Sequence, residues 1–259
     1  MFRNISKYAW FSFVPFLTLS LFTIGLLLTG VISSWYLIVT FVMWTLVSGL
    51  GVAVGYHRVF SHKTHSLPVW KENVILYFAA LSGQGSSITW AAIHRGYHHP
   101  CADTDKDMHT PKKGLWYAFF GWTLQITEAS NVISMKYAVD LLRKPNHVWF
   151  HHHQLKILWL TPILLCVVDW RLALMASVLP TGLALVQDNL VNVLGHTKAL
   201  IGYRNHETND QSYNNVIMGY LGWGQGWHNS HHAHPQTYDF GDKWWEFDPC
   251  RMWQWFLKT

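Results

Sequence analysis

From Tyr8 to Tyr56 the chain contains no Asp, Glu, Lys or Arg. That length accommodates two membrane-crossing helices of roughly 20 residues each, joined tightly where Gly30, Ser33 and Ser34 fall. The pattern therefore predicts spans at about 8–30 and 35–56. A second apolar stretch, 157–186, is interrupted only by Asp169, Trp170 and Arg171. It predicts a second hairpin of shorter or tilted helices, at about 157–169 and 171–190. Between the hairpins, 69–93 is apolar but carries Lys71, Glu72 and the permissive run Gly83, Gln84, Gly85, Ser86, Ser87. It reads as an interfacial or partly inserted helix pair that delivers Trp90 and then His94. The stretch 103–146 is polar with aromatic interruptions, as for helices resting on a membrane surface. The predicted fold is an all-α integral membrane protein. It has four transmembrane helices in two hairpins and a helical cap from 57–156 and 196–259, within one domain over 1–259.

Composition supports this picture, since 50% of residues are apolar and only 13% are charged. Arg3 and Lys7 precede an apolar run, but the run is too long and continues too far for a secretory signal. Charge also orients the chain. Arg3 and Lys7 lie before the first span, and Arg58, Lys63, Lys71, Arg95, Lys106, Lys112 and Lys113 follow the second, whereas the opposite loops carry little besides Arg171. The positive-inside bias puts both termini and the cap in the cytoplasm. The net charge of +5 is scattered, which suits anionic headgroups and argues against a nucleic-acid partner. Cys101, Cys166 and Cys250 have no metal-type spacing and read as reduced thiols. Most of the sixteen tryptophans read as interface anchors, with one or two available to line an apolar channel.

Histidine changes the picture most. It clusters as His57 and His62 in HRVFSH, His94, His98 and His99 in HRGYHH, and His228, His231 and His232 in HNSHH. Eight imidazoles exceed what one tetrahedral ion can use, so the clusters predict a site for two metals. A five-residue step turns a helix by about 500°, so the helix must end or loosen between His57 and His62. In HNSHH, offsets of three and four let all three side chains converge on one side. In HRGYHH the fan is too wide for a regular helix, which predicts a wide-turn bulge near Gly96. His196, ending the last span in NVLGH, adds a ninth candidate, with Asn192 one turn earlier on the same face. His151, His152 and His153 read as an interface belt beside Trp149, and His65, His109, His147, His206 and His234 as supporting or solvated residues.

With these boxes in place, the chain resembles the membrane-bound fatty acid desaturases, in the branch of acyl-CoA and acyl-lipid delta-nine enzymes. The resemblance runs from about 51 to 235 and includes GYRNHETND at 202–210, Asn214 and Asn215, and the run Asp103, Asp105, Asp107, His109. It implies the family's diiron cap. The iron ligands carry over onto His57, His62, His94, His98, His99, His196, His228, His231 and His232, with Asn192 acting through a water. Three departures stand out. The second box has one residue more than this branch commonly has, Gln225 replaces the usual acid before the third box, and Thr197 to Ile201 separate His196 from Gly202.

Removing hydrogen from an unactivated methylene exceeds the oxidising power of any side chain, so a cofactor must supply the chemistry. The resemblance implies two irons, dioxygen as co-substrate and insertion of a cis double bond, delta-nine by branch, into a CoA- or lipid-linked acyl chain. No haem-binding or ferredoxin-like module is visible, so the expected electron donor is a separate ferredoxin or b-type cytochrome. A sister oxygenase, such as an acyl hydroxylase, ketolase or decarboxylating enzyme, is the rival within the class. A histidine-rich metal transporter or metal-binding membrane protein is the rival outside it, but a transporter would place ionisable groups mid-span, and the first two spans have none.

Overall fold

The computed structural model describes residues 7–125 and 135–258. Arg3 and the stretch 126–134 of the expected cap lie outside them. The described chain is helical, with isolated bridges only at Tyr203–Asn214 and Asn214–Trp227. Among the described residues, three helices are long and apolar enough to cross a membrane: α1 (Tyr8–Leu28), α2 (Tyr36–Ser61) and a third, Trp170–Leu194. Between them come α3 (Val69–Ala80), α4 (Ser87–Ile93) and α5 (Pro145–Val168), so Trp170–Leu194 is α6. Two short helices follow, α7 (Val216–Leu221) and α8 (His228–Ala233).

The expected turn at 30–34 is present, with Gly30 in the left-handed region at φ 75°. Asp169 ends α5 in an extended conformation, and its side chain accepts from the Arg171 N–H to start α6. The boundaries differ from expectation in two places. The expected third span is the second half of α5, which begins at Pro145 and so includes His147 to His153. The second span does not stop at 56, because α2 continues through His57 to Ser61 as a helix of wide i→i+5 turns from Thr45.

Helix α6 packs against α1 and α2, and α3 packs against the wide half of α2. Small residues allow these approaches, as is usual where helices meet without a hydrophobic driving force. A Cβ on Gly51 would lie 2.6 Å from the Ala79 backbone nitrogen of α3. Hydroxyls tie the helices together: Ser20 donates to the Val178 carbonyl (3.0 Å), Thr40 to Met175 (2.7 Å) and Thr181 to Leu81 (2.6 Å). On the outside, α1, α2 and the second half of α5 expose Leu21, Leu28, Ile38, Leu164, Val167 and Val168. The main core joins α2, α3 and α4 to the C-terminal segment through Tyr56, Phe60, Ile75, Ile88, Trp223 and Trp253. Below it, Arg58 forms a fully buried ion pair with Asp248 at 2.7 Å. Trp223, Trp227 and Trp253 are therefore core residues rather than interface anchors.

Candidate metal centre

The nine histidines come together, in two groups. His57, His62, His94, His99 and His231 form one, and His98, His196, His228 and His232 the other. Within each group one nitrogen from each ring lies within 4.8 Å of those from the others.

Helix geometry explains how the boxes divide. The His62 N–H bonds the His57 carbonyl at 3.1 Å, an i→i+5 closure that brings these residues onto one face. The helix thus loosens before it ends at His62. The second box runs through another wide turn, His94–His98, in which the His99 N–H bonds the His94 carbonyl. This is the bulge expected near Gly96. It aligns His94 with His99 and leaves His98 facing the other group. In the regular helix α8, the i,i+4 pair His228 and His232 shares a group and His231 turns to the other. The expectation that all three would converge on one side is corrected: they serve two neighbouring groups.

The ring nitrogens face one another. Nε2–Nε2 separations are 2.9 Å for His57–His231, 2.8 Å for His62–His94 and 2.9 Å for His99–His231. In the second group they are 2.9 Å for His196–His228, 3.2 Å for His98–His232 and 3.4 Å for His98–His196. His231 Nε2 meets two other Nε2 atoms, and neutral imidazole supplies at most one N–H per ring, so mutual hydrogen bonding cannot satisfy the group. An ion bonded to nitrogen at roughly 2.0–2.1 Å places adjacent ligand atoms roughly 2.9 Å apart in an octahedral array and roughly 3.4 Å in a tetrahedral one. The donor set fits one ion per group.

Burial, followed by neighbouring imidazoles, holds His94, His99, His228 and His231 well below the ordinary histidine range and lowers His62 to about 3. Burial also lowers His232 to about 4, against the opposing pull of Asp210. Such rings stay neutral at physiological pH, as metal ligation requires.

The outer atoms of the two groups differ. Asp103 Oδ2 stands 3.1 Å from His196 Nδ1, Asp210 Oδ2 2.7 Å from His232 Nδ1, and Asp107 Oδ2 3.5 Å from His98 Nδ1. Among the described residues no carboxylate pairs with the five-histidine group. These aspartates were not predicted as functional, although they lie in segments already noted for resemblance. The remaining segment, 202–215, builds the frame. Asn214 Oδ1 accepts from the Asn229 and Ser230 N–H groups at the start of α8 (2.9 and 3.1 Å), and Asn229 Oδ1 accepts from the Asn205 and His206 N–H groups (both 2.8 Å).

A cavity of about 400 Å³ adjoins both groups, lined by His57, His94, His98 and His228. Asn192 lines it too, as do Trp90 and Trp122. His109, buried against Trp122 and Asp107, also reaches this cavity. His151 is not part of a belt: it meets Ser86 Oγ at 2.7 Å and faces the cavity, whereas His153 stacks on Trp149. His147 is buried beside Ser87 and Glu72, and His206 pairs with Asp242.

Helices apolar enough to cross a membrane, with two buried imidazole groups beside a cavity, define a histidine-rich membrane-type protein whose side chains could hold metal. Comparison with known sequences makes the class specific, since the fatty acid desaturase family model matches residues 33–254. The chain is 32% identical over 214 residues to the sn-2 palmitoyl-lipid 9-desaturase of Nostoc sp. (strain 36), covering 82% of this chain and 74% of that protein. It is 32% identical to Delta-9 acyl-lipid desaturase 2 of Arabidopsis thaliana, covering 81% and 67% respectively. It is 33% identical to a probable acyl-CoA desaturase of Schizosaccharomyces pombe, covering 79% of this chain and 43% of that one. The chain belongs to the fatty acid desaturase family. It is an oxidoreductase of lipid metabolism.

Proposed function

We propose that this protein introduces a cis double bond, delta-nine in position, into a saturated acyl chain carried on CoA or a lipid. The observation that carries the reading is the pair of imidazole groups opening on one cavity. His57, His62, His94, His99 and His231 would hold one iron. His98, His196, His228 and His232 would hold the other, with Asn192 contributing through a water. Two bound irons supply activation of dioxygen and removal of two hydrogens from neighbouring carbons. The chain's own side chains do the rest. Trp90 and Trp122 give the cavity apolar faces for methylenes, and burial around the histidines excludes water from the reacting carbons. A fixed cavity holds one carbon pair near the site, and this positioning sets the bond. Electrons come from a separate donor, a ferredoxin or a b-type cytochrome.

The same reading gives the protein four spans in two hairpins, the third in chain order being the second half of α5, whose Leu164, Val167 and Val168 are exposed. Both termini and the cap, which holds the histidine groups, then lie in the cytoplasm, all within a single domain.

Expression in a desaturase-deficient host with a compatible donor, followed by mass spectrometry of total fatty acids, tests the proposal. The expected outcome is a new monounsaturated chain that is lost in His231→Ala and in His98→Ala, with membrane insertion intact. A hydroxylated or shortened product would point to a sister oxygenase. Product retained in either variant would refute the ligand assignment.

A further inference from the structure

Asp188 is the one carboxyl group among the described residues lining the cavity, and no Lys or Arg lines it. Three amides hold it. Gln225 Nε2 donates to Oδ1 at 2.7 Å, Gln187 Nε2 to Oδ1 at 3.3 Å and Gln84 Nε2 to Oδ2. Two of these amides are fixed in orientation by indoles, which can only donate. Trp90 Nε1 donates to Gln84 Oε1 (3.3 Å) and Trp44 Nε1 to Gln187 Oε1 (3.0 Å), so each Nε2 is turned toward the carboxyl. Gln225 occupies the position before the third box where the family usually has an acid. In this chain that residue touches an acid on the facing helix instead.

On the desaturation reading, the reaction balances as CH2–CH2 + O2 + 2 e− + 2 H+ → CH=CH + 2 H2O. The electrons come from the one-electron donor protein, but two protons must also reach oxygen inside the cavity. We propose that Asp188 delivers them. The carboxyl O–H gives its proton to an oxygen atom leaving as water, and the carboxylate, held by the three amides, is reprotonated from solvent. The other titratable groups sharing the cavity are Tyr8 on α1, His57 on α2, His94 and His98 after α4, His109, His151 on α5 and His228 on α8. Those among them read as ligands are committed to metal, His109 Nδ1 faces Asp107 at 3.5 Å, His151 Nδ1 faces Ser86 Oγ at 2.7 Å, and the phenol of Tyr8 is a far weaker acid than a carboxyl.

The test compares wild type, Asp188→Asn and the swap Asp188→Asn with Gln225→Glu, each purified with its donor and assayed for iron and turnover across pH. Asp188→Asn is expected to keep its iron and lose roughly 100-fold in turnover, the scale of a lost general acid. It should also lose the alkaline limb of the pH profile, where a proton donor empties. The swap is expected to restore both. Wild-type turnover with an unchanged profile in Asp188→Asn would overturn the proposal. So would loss of iron in that variant, or a defect that the swap leaves unrepaired. A wild-type enzyme that forms no unsaturated product would instead overturn the desaturase reading on which the proposal rests.

Discussion

Asp210 shows how much a residue outside the ligand set can contribute. Its Oδ2 lies 2.7 Å from His232 Nδ1, and its Oδ1 accepts from the Ser212 N–H at 3.0 Å, so the carboxylate is itself fixed. A carboxylate on the outer nitrogen selects the tautomer that leaves Nε2 free for metal and makes the ring more basic. Removing such a partner typically costs 10–100-fold in metal affinity. Asp210→Asn should therefore bind one of the two ions more weakly by about that factor, leaving the five-histidine group filled. Titration with a chelator, followed by metal analysis, would show a two-step release in the variant. Simultaneous release of both ions, as tight as in wild type, would refute this role. His232 itself was readable from the sequence because adjacent histidines are conspicuous. Asp210 was not, because an aspartate in a polar loop looks like any solvated acid until the fold sets it against a ring.

At the scale of elements, the second and third histidine boxes solve one problem in two ways. In α8 a four-residue step on a regular helix aligns His228 with His232. In the second box a five-residue step on a wide turn aligns His94 with His99. The wide turn thus accommodates the additional residue in the second box while His94 and His99 stay in one group. Deleting Tyr97 should let that turn close as a regular helix with a four-residue step. The deletion variant is expected to retain two ions per chain. Loss of either ion on metal analysis would show that the wide turn is needed for more than spacing. Gly96 must stay, since a Cβ there would meet the Tyr137 ring at 2.3 Å.

For the molecule as a whole, burying so many imidazoles ties stability to pH. His62 falls to about 3 and His232 to about 4, from an unfolded value of 6.5. Below that value the unfolded chain binds protons that the folded chain does not, so acidification favours unfolding. Each such ring withdraws up to about 1.4 kcal/mol per pH unit below 6.5, until its own folded value is reached. Above 6.5 both states are neutral and the term vanishes. Metal-free protein in detergent should therefore unfold at a lower temperature at pH 5.5 than at pH 7.5. Bound metal should resist the shift until its ligands are protonated. An unfolding midpoint that does not move between these pH values in the metal-free protein would mean that the rings titrate normally.

The sequence by itself determined the helical class, the first two apolar stretches, the helix break at Asp169 and all nine clustered histidines. These are properties of composition and short spacing, which a linear reading measures directly. It also required an irregular turn near Gly96, because the spacing there conflicts with a regular helix. Only the tertiary structure decided how the histidines divide, since the second and third boxes each send members to both groups while the first does not, and the pairing depends on helices far apart in the chain. The same holds for Asp103, Asp107 and Asp210, and for Asp188 with Gln84 and Gln225. Their roles arise from contacts across the fold, between residues that carry no local pattern of their own.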